Sequence, residues 1–141
     1  MLLAVAMLAT ACASAPEDPL LRQYFRASQL RDIGTLGRIA LVSLDPTKDG
    51  AVTDFSITTV SPERTELLKG KDLSRYLALR PKMPNLTAVD AELISKDVTI
   101  NATLKLPDNS TAQKPLVVTL QRVKAGETPE MWIVSGVRPA Y

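Results

Sequence analysis

The chain has 141 residues, 17 of them Lys or Arg and 15 Asp or Glu, for a formal charge of +2. That near balance, with neither sign forming a long run, leaves no electrostatic footprint for nucleic acid. Histidine is absent and Cys12 is the single cysteine, which excludes imidazole acid–base catalysis, a serine–histidine triad, an intrachain disulfide and most zinc or haem sites.

The first element is an apolar run over residues 2–11. Its length suits the hydrophobic region of a signal peptide and falls short of the about 20 residues that a membrane-spanning helix needs. The small residues Ala9, Thr10 and Ala11 lead directly to Cys12, and Pro16, Glu17 and Asp18 stop the run from extending. This layout resembles the lipobox of a bacterial lipoprotein. The resemblance implies cleavage just before Cys12 and a diacylglyceryl group on its sulfur. Ala9 stands where a lipobox usually has Leu, and no Lys or Arg precedes the run. The competing reading is an ordinary secretory signal cut near Ala13-Ser14-Ala15. Acylation also accounts for the lone thiol, since a free one would be a liability in an oxidising compartment. The expected organisation is a signal peptide over 1–11, a lipidated tether over 12–18 and one domain over 19–141. With Ala13 and not Asp after the cysteine, the resemblance implies a cell-envelope location at the outer membrane or surface. The first partner is then the membrane itself, reached through the lipid anchor.

Beyond the tether about 125 residues suffice for one domain with a real core and not for two. Asp18 as N-cap and Pro19 at the first helical position predict a helix over 20–30. Its apolar face carries Leu20, Leu21, Tyr24 and Phe25, with Ser28 at the margin. Asp32 can cap a second, shorter helix in which Ile33, Leu36, Ile39 and Ala40 recur at helical spacing and Gly34 and Gly37 weaken the run. Residues 41–44 fit either a helix end or a strand start. Asp45-Pro46-Thr47-Lys48-Asp49-Gly50 predicts a turn. A strand over 52–60 follows, with Val52, Asp54, Ser56, Thr58 and Val60 alternating against Thr53, Phe55, Ile57 and Thr59. Residues 64–86 are the least regular part, with a short helix over 72–79 and an extended loop at 80–84. Strands are expected over 88–95, 98–106, 113–123 and 131–137, joined by turns at 107–110 and 125–129. Val98, Ile100, Ala102, Leu104 and Leu106 mark the buried side of the clearest of these.

Helices first and a strand meander afterwards predict the α+β class, with N-terminal helices packed on one face of an antiparallel sheet. The order is similar to that of the NTF2-like superfamily, the cystatin-like α+β cone. Tyr24-Phe25-Arg26-Ala27-Ser28 on the opening helix and Met131-Trp132-Ile133-Val134 at the final strand carry the likeness, over about 19–138. The resemblance implies a curved sheet wrapped against the helices. It transfers no single function, because the superfamily holds isomerases and dehydratases beside binding and scaffolding members.

Tyr24, Asp54, Tyr76 and Trp132 are the candidate pocket or interface residues, and Glu92 joins the first three as an acid–base candidate for a cone interior. None of them sits in a recognisable motif. Asp54 is either a buried acid of raised pKa or part of a solvated face with Ser56 and Thr58. Trp132, beside Met131, either lines a ligand pocket or fills the core. Arg22, Arg26, Arg31 and Arg38 either face an anionic lipid or acidic partner or form a solvated helix face. No cofactor and no metal is expected. The expected role is a lipid-anchored, non-catalytic domain that binds or scaffolds a partner protein or a small apolar ligand. The alternatives are a small cone-pocket enzyme and an accessory subunit of a membrane assembly.

Overall fold

The structure, a computed structural model, describes residues 15–78, 90–124 and 131–141. Cys12 with its leader, the expected loop at 80–84 and the expected turn at 125–129 lie outside the described residues.

Helix α1 (Asp18–Leu30) opens one residue earlier than its sequence signals suggest. Glu17 holds the N-cap position without a side-chain cap bond, and Asp18 instead pairs with Arg22 one turn on. Pro19 fits the first turn, where no intrahelical N–H bond is lost. Leu21, Tyr24, Phe25, Ala27 and Ser28 form the buried stripe. The helix closes at Arg31, which takes the left-handed conformation at φ 53°, with the Arg31 and Asp32 amides returning to the Ser28 and Ala27 carbonyls. Helix α2 (Ile33–Ile39) is capped by Asp32, whose carboxylate accepts from the Thr35 amide at 3.1 Å and hydroxyl at 2.7 Å. Leu36 and Ile39 are buried as expected, whereas Ile33 at the first helical position is exposed. Residues 40 and 41 are neither helix nor strand: Ala40 bridges Val134, and the Leu41 amide donates to the Val134 carbonyl at 2.8 Å. The turn at 45–50 is real, tied by Asp45 to the Thr47 amide and hydroxyl. Gly50 ends it at φ +80°, where a Cβ would meet the Lys105 carbonyl oxygen at 3.1 Å.

The sheet comprises β1 (Ala51–Val60), β2 (Arg64–Lys69), β3 (Asp90–Lys105), β4 (Thr111–Lys124) and β5 (Ile133–Pro139), all antiparallel to their neighbours. The order is β1-β3-β4-β5, with β2 also paired to β3. β1 takes the second half of β3 and β2 the first half, so the two lie end to end along one edge. Between them Pro62, which has no amide hydrogen, interrupts the ladder. Ser61 spans the gap by donating its amide to the Asp97 carbonyl and accepting from the Asp97 amide, both at 2.8 Å. β2 was hidden in the irregular stretch because only Leu68 of its six residues is buried, leaving no alternation to read. The strands expected over 88–95 and 98–106 are one, because Lys96 and Asp97 continue an unbroken register against β4.

Three bulges bend this sheet, and each is built the same way. The register slips around Thr53, Thr58 and Ser135. Each of these hydroxyls donates to a partner-strand carbonyl: Thr53 to Thr103, Thr58 to Thr99 and Ser135 to Thr119, at 3.1–3.3 Å. The extra residue at Thr53 explains why strict alternation misreads β1. It brings Val52 and Phe55, three apart, to the same buried side.

α1 and α2 cover one face of the sheet, over Val98, Ile100, Ala102, Leu104, Leu116, Val118 and Leu120. Helix α3 (Gly70–Ala78) takes the other face. Its Leu73 and Tyr76 pack with Leu68, Ala91, Leu93 and Val123, which are out of phase with the first set along β3 and β4. The α+β class therefore holds, among the described residues, as three helices on an open five-stranded antiparallel sheet. The expectation of helices on a single face holds for α1 and α2, and α3 is the exception.

Candidate functional site

The four candidate side chains do not converge. Tyr24 is fully buried beneath α1 and donates its hydroxyl to the Val42 carbonyl at 3.0 Å. Burial pushes its phenol up to about 12, so it stays a neutral donor that ties the 40–44 segment to the helix. Tyr76 is half-buried on α3, on the opposite face from Tyr24. Asp54 is exposed, as are Ser56 and Thr58, which places it on the solvated side of the two readings. It borders an open groove of about 320 Å³ with Arg22, Phe25, Arg26 and Gln29, which Tyr24 does not line. Phe55, Ile100 and Leu120 belong to the apolar cluster under α1, and Trp132 is partly buried at the margin of that cluster. A second open groove, of about 300 Å³, runs between the 44–49 turn and Arg138. Of the four helix arginines, three are engaged locally: Arg22 with Asp18, Arg31 with the Leu44 carbonyl and Arg38 with Thr35.

Trp132 is the exception, because charged groups gather around it. The Lys96 ammonium lies 4.3 Å from the indole ring centroid, and the Arg122 guanidinium carbon 5.1 Å from it. The same ammonium meets the Glu17 carboxylate at 2.7 Å, with both side chains about a tenth exposed. Burial alone would raise the Glu17 carboxyl, but the Lys96 hydrogen bond and charge hold it below its usual range. Arg122 faces Glu63 at 3.9 Å. One lysine thus joins the start of α1, where the chain enters the domain, to the middle of β3 and the mouth of β5.

On the opposite face Asp97 does similar work. It accepts from Thr119 at 2.7 Å and Arg64 at 3.0 Å, and Arg138 lies at 3.8 Å. Burial pushes the Asp97 carboxyl up, and these partners more than offset it, leaving it below its usual range. Neither Lys96 nor Asp97 stood out by motif. The signal for Lys96 was its parity: it shares the inward phase of Val98 and Ile100, and a lysine pointing inward needs a counter-charge. Nothing local pointed to Glu17 as that charge, 79 residues away in sequence.

Among the described residues no group of three or more Cys, Asp or Glu side chains could hold a metal, and no helix is long and apolar enough to cross a membrane. The class defined by fold and site is an open-sheet α+β domain with a charged tryptophan cluster where its N-terminal segment enters. Compared with family models, curated proteins and solved structures, the chain finds no match in any of the three.

Proposed function

We propose that this chain is a lipid-anchored protein of the cell envelope, with an NTF2-like α+β domain that binds or scaffolds and does not catalyse. The observation that carries the reading is Cys12, the single cysteine, placed at the end of a leader-length apolar run and directly after Ala9-Thr10-Ala11. The bulged sheet under two N-terminal helices supports the NTF2-like assignment, since each bulge bends its strand. Tyr24 is committed to Val42 and Asp54 is exposed apart from it, which weighs against the cone-pocket enzyme. Anchoring several acyl chains to one small domain holds it stably at a surface and raises its effective concentration toward other molecules there.

Mass spectrometry of membrane-extracted protein tests this directly. The mature chain is expected to begin at Cys12 and to carry the mass of a lipid-modified cysteine, and Cys12→Ser is expected to remain unacylated and leave the membrane fraction. An intact Met1, or a mature chain beginning after Ala15, would falsify the anchoring reading.

A further inference from the structure

We propose that the Trp132 patch, formed by Met131, Trp132 and Arg122, is the surface of this domain that rests on the phospholipid headgroup layer, and that the Glu17–Lys96 pair is the pin that sets this orientation. The inference rests on the anchoring of Cys12 proposed above.

The reach of the tether sets the first constraint. Ala15 is already part of the fold, because its carbonyl accepts from the Asp18 amide at 3.0 Å and opens the turn into α1. Only three peptide steps separate Cys12 from Ala15, which at full extension span about 10 Å. An acylated Cys12 therefore holds Ala15 in or just above the headgroup layer. Glu17 is two residues further and cannot swing away from the sheet, since its carboxylate is held at 2.7 Å by the largely buried Lys96. That ammonium also sits 4.3 Å from the centre of the Trp132 ring. The part of the domain nearest the bilayer is thus the part that carries Trp132.

The chemistry of that patch suits the place. Tryptophan has an apolar body and one polar edge, and it concentrates at bilayer interfaces for that reason. Met131, its chain neighbour, is 69% exposed. Arg122 carries a planar guanidinium of the kind that matches a phosphate, 5.1 Å from the Trp132 ring centroid and facing Glu63 at 3.9 Å. Leu30 and Ile33, 67% and 74% exposed, stand at the far end of α1. A helix of this length separates them from Glu17 by about 20 Å along its axis. They make the natural control.

Trp132 is the only tryptophan in the chain, so its fluorescence reports this patch alone. The test uses the acylated protein reconstituted into phosphatidylcholine–phosphatidylglycerol vesicles containing lipids brominated either near the headgroup end or near the methyl end of their chains. Stronger quenching by the headgroup-end bromines is expected, with a blue-shifted emission relative to the protein in detergent-free buffer after enzymatic removal of its anchor. Glu17→Gln is expected to keep flotation with the vesicles while its quenching drops roughly twofold or more, because the 15–18 entry turn loses its side-chain tie to β3 and the domain can reorient about it. Leu30→Ser with Ile33→Ser is expected to quench like the parent. Protein that floats and is acylated, yet whose Trp132 neither bromine position quenches, overturns the orientation while leaving the anchor intact. Equal quenching of parent and Glu17→Gln, with Glu17→Gln shown folded by circular dichroism, overturns the pin. Protein that carries no acyl group and does not float overturns the anchoring reading, and this inference falls with it.

Discussion

The two ends of this sheet are held by different physics. Under α1 and α2 the chain places both of its phenylalanines: Tyr24 and Phe25 meet edge to face with ring centroids 5.3 Å apart, and Phe25 and Phe55 at 5.5 Å. Around them sits one continuous apolar cluster drawn from two helices and four strands. At the other end the apolar cluster shrinks to Leu68, Leu73, Ala91, Leu93 and Val123 under α3, and ion pairs stand beside it: Glu17–Lys96 on one face and Arg64–Asp97 on the other. Burial is non-directional and scales with area, whereas an ion pair holds one geometry and depends on both partners. The apolar end supplies stability, and the charged end supplies position. That division matters because the N-terminal segment enters at the charged end.

The largest expected effect tests the apolar end. Phe25→Ala removes a ring from the centre of the aromatic trio and should cost about 3–5 kcal/mol in urea or thermal unfolding. A loss under about 1 kcal/mol would mean that the α1 face is not where stability resides. Next comes Glu17→Ala, which leaves the largely buried Lys96 without its counter-charge. The expected loss is about 3 kcal/mol, the low end for a broken buried pair because both side chains keep some solvent contact. Glu17→Met with Lys96→Met should recover most of that loss. If the double variant is as unstable as the single one, the pair is a source of stability and not chiefly of position.

This contrast also measures what could be read in advance. The apolar end was legible because burial there follows simple periods: Leu21, Tyr24 and Phe25 at helical spacing, Val98, Ile100, Ala102 and Leu104 at strand spacing. Asp32 as a cap and Gly50 as a turn closer were legible because their local chemistry determines them. The charged end resisted reading. Glu17–Lys96 joins positions 79 residues apart, and no local pattern encodes such a pairing. β2 carries too little buried surface to alternate, and the bulges at Thr53 and Thr58 shift the phase of β1 at the point where it would have been most informative. Lys96-Asp97 read as a break between strands, when it is a continuous piece of β3 that sends opposite charges to opposite faces.

A smaller effect separates the two apolar clusters. Leu73→Ala should cost about 2 kcal/mol, at the low end for a buried leucine, because α3 covers only one corner of its face. The loss should be local: amide exchange is expected to accelerate in α3 and β2 while the α1 amides keep their protection. Equal acceleration in α1 would show that the sheet unfolds as one unit and that the two ends are not energetically distinct.

The acid limb of stability sharpens the charged end further. Glu17 and Asp97 both have carboxyls held below their usual range in the folded state. Their stabilisation is therefore complete above the unfolded-state values of about 4 and fades as pH falls through the lower folded values. Asp97→Asn should flatten part of that acid dependence and cost about 1 kcal/mol at neutral pH, since Arg64 and Arg138 are both more than half exposed. An acid limb unchanged by Asp97→Asn would assign it elsewhere.

The smallest expected effect concerns the bends that connect the two ends. Thr58→Val keeps the shape of the side chain and removes only the hydroxyl that donates to the Thr99 carbonyl at 3.1 Å. An exposed neutral hydrogen bond contributes about 0.5–1 kcal/mol, so thermal stability should fall by that amount or less. The consequence for register is more informative than the energy. Thr58 is the residue that β1 leaves unpaired between Ile57 opposite Ile100 and Thr59 opposite Thr99. Without its hydroxyl the bulge loses the bond that holds it there, and the Val60–Val98 pairing next to the Ser61 bridge should become the least protected part of β1. Faster amide exchange confined to residues 57–61 would show that the bend is anchored by this one hydroxyl. Exchange unchanged along the whole strand would show that the twist of the sheet sets the bulge and Thr58 merely occupies it.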